Sequence, residues 1–171
     1  MKLVIVRHAD AGDAEEFAKT GQPDAFRPLT DKGREQTQSI AEGLRKLVPS
    51  CDLIATSPYT RAMQTAEIII AAYGHRGAET TSALEPAAAP ADFEEWLRGS
   101  DGNAAVVMIV GHEPNLSTLA TYLMAGVPGS RIDLKKAGAC QLAFEGEAQK
   151  GRGVLQWLMG PKQLAAVAAG G

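Results

Sequence analysis

Four side chains suited to binding and attacking a phosphate group stand at or just after the ends of apolar runs in the sequence. They are Arg7, His8, Arg61 and His112. Arginine offers a planar set of N–H donors that matches the oxygens of a phosphoryl group, and it stays charged at any working pH. A histidine beside such cations is discouraged from taking up a proton, and a neutral imidazole is a nucleophile. Together these residue types predict phosphoryl-transfer chemistry.

The role expected of each side chain follows from its charge. We expect His8 to attack phosphorus. The other three, Arg7, Arg61 and His112, are expected to hold the non-bridging oxygens and absorb the developing negative charge. Glu85 is the candidate general acid for the leaving group, although a carboxylate at this place can equally cap a helix or a loop. An acid matters less if the leaving group is an imidazole than if it is an alkoxide.

The elements that must position these residues are predicted from hydrophobic spacing. Strands are expected over 2–6, 52–56, 79–83, 104–110, 139–144 and 153–159. Helices are expected over 31–48, 58–73, 91–98, 114–125 and from 162 onward. Ser57 is expected to cap the second helix, with Pro58 in its first position. Residues 9–29 are predicted to form a polar loop.

The alternation of strands and helices predicts the fold class. It indicates an α/β protein with a single three-layer α/β/α domain over residues 1–171, whose last residues, 166–171, form a frayed tail. The sheet is expected to be mostly parallel, with one antiparallel strand from the hairpin near the end. Open α/β sheets bind ligands at the carboxyl ends of their strands, so the four phosphate-binding candidates should meet at one edge. Glu85 closes the weak strand at 79–83 and could join them there.

Composition excludes several other classes of protein. The formal net charge is −3, so the chain lacks the excess of positive charge that would indicate binding to nucleic acid or to an acidic membrane surface. Cys51 and Cys140 are too few for a disulfide framework and have no metal-ligand spacing. No apolar stretch is long enough for a signal segment or a membrane span, so we expect a soluble cytoplasmic protein.

Five segments resemble, in the same order, the motifs of the histidine phosphatase (phosphoglycerate mutase-like) superfamily, most closely its small SixA-type phosphohistidine phosphatase branch. They are VRHADA (6–11), RPLT (27–30, with Gly33), SPYTRAMQTA (57–66), LEP (84–86) and VGHEP (110–114). The resemblance extends over about residues 2–160. Each segment is a weak signal by itself, but the ordered set is highly specific.

The resemblance implies a phosphoglycerate mutase-like fold and a mechanism in which His8 becomes phosphorylated. It also implies that Arg7, Arg61 and His112 form the phosphate pocket, and that no metal or other cofactor takes part. Larger relatives carry a long insertion that covers the site. Here only about twenty residues separate Glu85 from the next strand, so the pocket should be open enough for a phosphorylated protein side chain. Many relatives have glycine at the position of Ala9, which must therefore keep a negative φ.

Other functions remain open on the sequence alone. The substrate can be a phosphorylated protein, including one that carries phosphohistidine, or a small phosphorylated molecule. A non-catalytic phosphate-sensing module would need the same pocket. A metallophosphatase would use His8, Asp10 and His112 as ligands, although the neighbouring arginines would repel a divalent cation. No Gly-x-x-x-x-Gly-Lys-Ser/Thr loop supports a nucleoside triphosphatase. A monomer or weak oligomer is expected.

Overall fold

Six strands form one mixed sheet in the computed structural model, which describes residues 1–100 and 104–170. The strands are β1 (Lys2–Arg7), β2 (Leu53–Thr56), β3 (Glu79–Thr80), β4 (Val106–Gly111), β5 (Ala139–Ala143) and β6 (Val154–Met159). Their order across the sheet is β3-β2-β4-β1-β5-β6. The first four strands in this order are mutually parallel, whereas β5 is antiparallel to both β1 and β6. The prediction of one reversed strand is confirmed.

Helices cover both faces of the sheet. They are α1 (Ala14–Ala18), α2 (Asp31–Leu47), α3 (Thr60–Tyr73), α4 (Pro90–Gly99), α5 (Asn115–Ala125) and α6 (Pro161–Ala169). In β1, Leu3 and Ile5 enter the core under α4 and α5, while Val4 and Val6 enter the core under α2, α3 and α6. This alternation gives the predicted three layers. In the described part of the chain, no helix combines the length and apolar character needed to cross a membrane.

The polar loop predicted over 9–29, whose length indicates a functional segment, contains two short elements. Helix α1 begins after Asp13, whose carboxylate accepts hydrogen bonds from the backbone N–H groups of Glu15 and Glu16. A 3₁₀ turn follows at Asp24–Phe26. Helix α1 buries none of its residues, so hydrophobic spacing gave no signal for it.

The weak strand predicted over 79–83 is shorter than expected. Only Glu79 and Thr80 pair with β2, and a 3₁₀ turn occupies Ser82–Leu84. The hydroxyl of Thr81 accepts a hydrogen bond from the backbone N–H of Ala83, which starts this turn and ends the strand.

The chain end is more ordered than predicted. Helix α6 continues to Ala169, so residues 166–169 are helical where a frayed tail was expected, while residue 171 lies outside the described residues. Two contacts with α2 explain the difference. Leu164 is fully buried against this helix, where Gly43 allows a close backbone approach, and the Lys46 ammonium donates to the Ala168 carbonyl.

Candidate active site

His8 lies directly after β1 in the middle of the sheet. Its backbone is fixed on both sides, because its N–H donates to the Gly111 carbonyl at 3.0 Å and its carbonyl accepts from Ala137 at 3.2 Å. The imidazole Nδ1 is 2.7 Å from the carbonyl oxygen of Ala9, which can only accept, so Nδ1 carries the ring proton. Nε2 is then unprotonated, and it accepts a hydrogen bond from Nε of Arg61 at 3.3 Å.

The surroundings of His8 keep its imidazole neutral. Its side chain is almost completely buried, and this burial lowers the pKa from the usual 6.5 to about 3. The hydrogen bond to Ala9 acts in the opposite direction, and the positive charges of Arg61 and Arg7 add to the lowering. Nε2 therefore stays unprotonated throughout the physiological pH range. Ala9, the residue where many relatives have glycine, has no positive φ, as predicted.

His112 follows β4, the strand that pairs with β1, and its ring centroid is 4.9 Å from that of His8. Nε2 of His112 is 2.8 Å from the hydroxyl of Ser57. Nδ1 is buried and has no hydrogen-bond partner among the described residues, which leaves it available to a bound ligand. Burial, with the neighbouring charges of His8 and Arg61, lowers the pKa of His112 to about 2.

Ser57 has a different role from the one predicted. Helix α3 begins at Thr60, with Tyr59 as its N-cap residue, so the prediction that Ser57 caps a helix starting at Pro58 is wrong. The Ser57 hydroxyl accepts from the backbone N–H of Tyr59 at 3.3 Å, which forms a local turn before the helix. The same hydroxyl bonds His112, so it fixes the orientation of that ring.

Arg61 lies in the first turn of α3, and its guanidinium joins His8 to a neighbouring loop. It is 4 % exposed. Besides the bond from Nε to His8, Nη1 donates to the backbone carbonyl of Asp24 at 2.9 Å and Nη2 contacts the Asp24 carboxylate at 3.0 Å. The two terminal nitrogens of the Arg61 guanidinium, Nη1 and Nη2, are therefore bonded to Asp24, and its Nε faces His8.

Asp24 and Arg27 belong to this site although no role was predicted for either. Nε of Arg27 donates to the Asp24 carboxylate at 2.7 Å. Nη1 of Arg27 donates to the carbonyls of Ala11 and Gly12 at 3.0 and 3.1 Å, so Arg27 also holds the chain that follows His8. Arg27 lies in the RPLT segment of the family resemblance, and this position could have indicated that it belongs to the site. Asp24 lies outside the quoted segments, and no periodicity marks it.

Arg7 is adjacent to His8 and contributes its charge to the same region, since that charge lowers the pKa of His8. Its Nη1 donates to the carbonyl of Leu134 at 2.8 Å. Its Nε is buried and has no partner among the described residues, so one N–H donor is free.

Glu85 lies at the same edge of the sheet but is not joined to the pocket by a hydrogen bond. It follows the 3₁₀ turn at Ser82–Leu84, where the Leu84 carbonyl packs so closely on Gly111 that a Cβ there would lie 3.0 Å from its oxygen. Within residues 1–100 and 104–170 the half-buried Glu85 carboxylate makes no hydrogen bond. Its place beside the strand that leads to His112 keeps it a candidate acid.

The ligand set imagined for a metallophosphatase does not assemble. The Asp10 carboxylate is bonded to Nζ of Lys136 and to the hydroxyl of Thr30, both at 3.0 Å, instead of joining His8 and His112. Throughout the described ranges no three histidine, cysteine, aspartate or glutamate residues are placed to hold a metal ion.

The two low histidine pKa values predict a loss of stability in mild acid. In the unfolded chain each histidine binds a proton below about pH 6.5, whereas the buried rings stay neutral, so the free energy of unfolding falls as the pH decreases toward 3. Between pH 7 and 5 the expected loss is about 2 kcal/mol for each of His8 and His112. Urea unfolding at both pH values measures it, and His8→Gln should remove about half of the histidine contribution. An unchanged pH dependence in His8→Gln would contradict the assignment.

Comparisons with known proteins assign this fold and site to a class. Residues 3–96 match the family described as the histidine phosphatase superfamily (branch 1). The chain belongs to this superfamily, and the predictions of the family, of the fold and of a phosphatase are confirmed at that level.

Particular relatives are consistent with this class. An uncharacterised protein of Picosynechococcus is 37 % identical over 139 residues, which covers 81 % of this chain and 82 % of the relative. The phosphohistidine phosphatase SixA of Escherichia coli is 27 % identical over 167 residues, with 96 % of each chain covered. A solved structure of the protein histidine phosphatase SixA complexed with tungstate superimposes with a TM-score of 0.81 and 25 % identity, covering 96 % of this chain and 99 % of that one.

Proposed function

We propose that this protein hydrolyses phosphorylated substrates through a phosphohistidine intermediate on His8, and that its substrates are phosphorylated proteins, including those that carry phosphohistidine. The observation that carries the proposal is the state of the His8 ring. Its proton is held on Nδ1 by the Ala9 carbonyl, its Nε2 is unprotonated, and its pKa is near 3. A buried, oriented, neutral imidazole next to a guanidinium is what nucleophilic attack on a phosphoryl group requires.

The first step transfers the phosphoryl group to the enzyme. Nε2 of His8 forms a bond to phosphorus while the bond from phosphorus to the leaving group breaks, and the leaving group takes that electron pair. The ring becomes a phosphorylated imidazolium whose Nδ1–H still donates to the Ala9 carbonyl, at 2.7 Å in the structure. This carbonyl dipole stabilises the positive charge that develops on the ring.

The second step regenerates the enzyme. A water molecule attacks phosphorus, the P–N bond breaks, and its electron pair returns to Nε2 of His8. The proton of the water goes to the inorganic phosphate that is released. Since the pKa of His8 is about 3, the returned imidazole is neutral and ready for another turnover.

The phosphoryl oxygens are held by Arg7, Arg61 and His112. The Nε side of Arg61 already faces Nε2 of His8, and Nε of Arg7 is a buried donor with no protein partner in the described part of the chain. Nδ1 of His112 can donate when the Ser57 hydroxyl donates to Nε2 of the same ring, at 2.8 Å. Each donor acts where negative charge increases in the transition state.

A protein substrate is supported by the packing of the described residues that follow the 3₁₀ turn, 85–100. The chain that follows Glu85 forms α4, whose Phe93 is fully buried in the core. The Asn115 amide donates to the Ala88 carbonyl at 2.7 Å, which ties the segment before α4 to α5. The packing of residues 86–99 against the core and α5 supports an approach to His8 by a side chain on a protein surface. The similarity to SixA points in the same direction.

A panel of phosphorylated substrates tests the proposal. We expect kcat/KM for a phosphohistidine protein to exceed the values for sugar phosphates and other small phosphomonoesters. The opposite order would establish a small-molecule phosphomonoesterase with the same chemistry. Binding of inorganic phosphate with no turnover of any substrate would establish a phosphate-sensing module and overturn the proposal.

The role of Glu85 is tested by its amide variant on two classes of substrate. An alkoxide leaving group needs a proton from the enzyme, whereas an imidazole can carry a proton on its other ring nitrogen before it leaves. We expect Glu85→Gln to lower kcat on alkyl phosphate esters by about 100-fold or more and to have little effect on phosphoramidates. Glu79→Gln, at an exposed position on β3, is the matched control. Equal large losses on both classes would show that Glu85 does not act as a proton donor.

A further inference from the structure

We propose that Asp24 is a positioning residue of the phosphatase site: its carboxylate holds Arg61 and Arg27 together so that the Nε side of Arg61 faces the reacting phosphoryl group. This inference rests on the proposed function, since it concerns the same pocket. It adds a residue that no family motif quoted above contains. The 3₁₀ turn Asp24–Phe26, on which it lies, thereby becomes part of the site.

The geometry gives each oxygen atom of Asp24 a defined partner. Oδ2 is 3.0 Å from Nη2 of Arg61 and the backbone carbonyl oxygen is 2.9 Å from Nη1, so both terminal nitrogens of the guanidinium are fixed. Oδ1 accepts from Nε of Arg27 at 2.7 Å. A carboxylate that accepts from two guanidinium groups leaves neither of them free to rotate. The remaining side of Arg61 carries Nε, which faces His8.

Arg27 connects this arrangement to the chain behind the nucleophile. It binds the carbonyls of Ala11 and Gly12, which follow His8 by three and four residues, and its side chain is mostly buried. A continuous series of hydrogen bonds therefore runs from the backbone after His8 through Arg27, Asp24 and Arg61 back to Nε2 of His8. Such a closed path fixes the distance between the nucleophile and the cation that must hold phosphate.

Asp24 is unsuited to act as the general acid. Burial opposes its ionisation, but the hydrogen bond from Arg27 and the charge of Arg61 hold the pKa of its carboxyl below the usual range. Both of its oxygens already accept from guanidinium groups, so the carboxyl has neither a proton to give to a leaving group nor a free oxygen to carry one. Its contribution is therefore geometric, and its loss should affect every leaving group equally.

The first test separates kcat from KM with Asp24→Asn. The amide has one acceptor oxygen, and its NH2 group can only donate, so Arg27 and Arg61 no longer each have an oxygen of their own and the orientation of Arg61 is weakened. We expect kcat to fall by about 10- to 100-fold, equally on an alkyl phosphate ester and on a phosphoramidate. KM should change less, because removal of a negative charge from the pocket favours binding of the phosphate dianion. Asp24→Glu, which keeps the charge, should recover part of the rate.

Asp13→Asn is the matched control. Asp13 lies in the same loop and its carboxylate also accepts two hydrogen bonds, but both come from the backbone of α1. If the loss of a negative charge from this loop were enough to lower kcat, this variant would lower it as well. We expect kcat of Asp13→Asn to equal that of the wild type. An unchanged kcat in Asp24→Asn, or a loss limited to alkyl esters, would overturn the proposal.

A double-mutant cycle shows whether Asp24 acts through Arg61. If it does, Asp24→Asn lowers kcat/KM in the wild type but has no further effect in an Arg61→Ala background. Losses that multiply in the double variant would show that the two residues act independently, and the inference would fail. A wild type that turns over no substrate would instead remove the proposed function, so the two failures are distinguishable. Thermal unfolding of each variant confirms that the compared proteins are folded.

Discussion

His8→Ala is expected to abolish turnover of every substrate that the wild type hydrolyses. The change to alanine removes the imidazole and with it Nε2, the atom that the hydrogen bonds to Ala9 and Arg61 orient toward phosphorus in the proposed mechanism. Only the uncatalysed pathway within the pocket remains, so we expect kcat to fall by about 10⁴-fold or more. Steady-state release of inorganic phosphate, with a coupled detection assay, measures the loss.

Two controls make the His8→Ala result specific. His75→Ala removes a half-buried histidine whose ring bonds backbone groups of Asp52 and Gly77, and its turnover should equal that of the wild type. Inorganic phosphate should still protect His8→Ala against thermal unfolding, because the cations of the pocket are intact. Retained turnover in His8→Ala would show that another group attacks phosphorus.

Arg61→Ala should produce the second largest effect. The guanidinium is buried and donates to Nε2 of His8, and in the proposed mechanism it stabilises the negative charge that increases on the phosphoryl oxygens. Loss of such a donor lowers kcat/KM by about 10³-fold. Its removal also leaves the Asp24 carboxylate with one cationic partner fewer beside the pocket. Progress curves on a phosphohistidine protein and on a small phosphoramidate should show the same loss.

Arg61→Lys distinguishes charge from shape. Lysine keeps the positive charge, but its single ammonium cannot reach His8, the Asp24 backbone carbonyl and the Asp24 carboxylate together. We expect kcat/KM of Arg61→Lys to lie between the values of the wild type and Arg61→Ala. Activity equal to the wild type in both Arg61 variants would contradict the place given to this residue.

The meeting of His8 and His112 could be predicted from the sequence because the carboxyl ends of parallel strands lie at the same edge of a sheet. Each histidine follows an apolar run, and β1 pairs in parallel with β4 so that Arg7 lies opposite Gly111. The residues that follow the two strands are then neighbours, and their rings are 4.9 Å apart. Hydrophobic spacing is sufficient to locate these two strands, since the burial of their apolar side chains decides where they form.

The polar part of the site could not be predicted in the same way. Asp24 lies in a segment without hydrophobic periodicity, and its partners Arg61 and Arg27 are chosen by loop geometry. The prediction for Ser57 followed the usual rule that a serine before a proline caps the start of a helix. However, its hydroxyl is engaged by Tyr59 and His112, so the helix begins later. Side-chain hydrogen bonds of this kind compete with the local preferences from which the sequence prediction was made.

The position of the phosphoryl group in the trapped intermediate tests the central claim most directly. The enzyme is mixed with substrate, quenched within one turnover in alkaline denaturant and digested, and the phosphopeptide is identified by mass spectrometry and ³¹P NMR. Because Nδ1 of His8 is held as a donor by the Ala9 carbonyl, we expect one phosphoryl group, on His8, bonded to Nε2. A phosphoryl group on Nδ1 or on another residue, or turnover without any phosphorylated enzyme, would contradict the account.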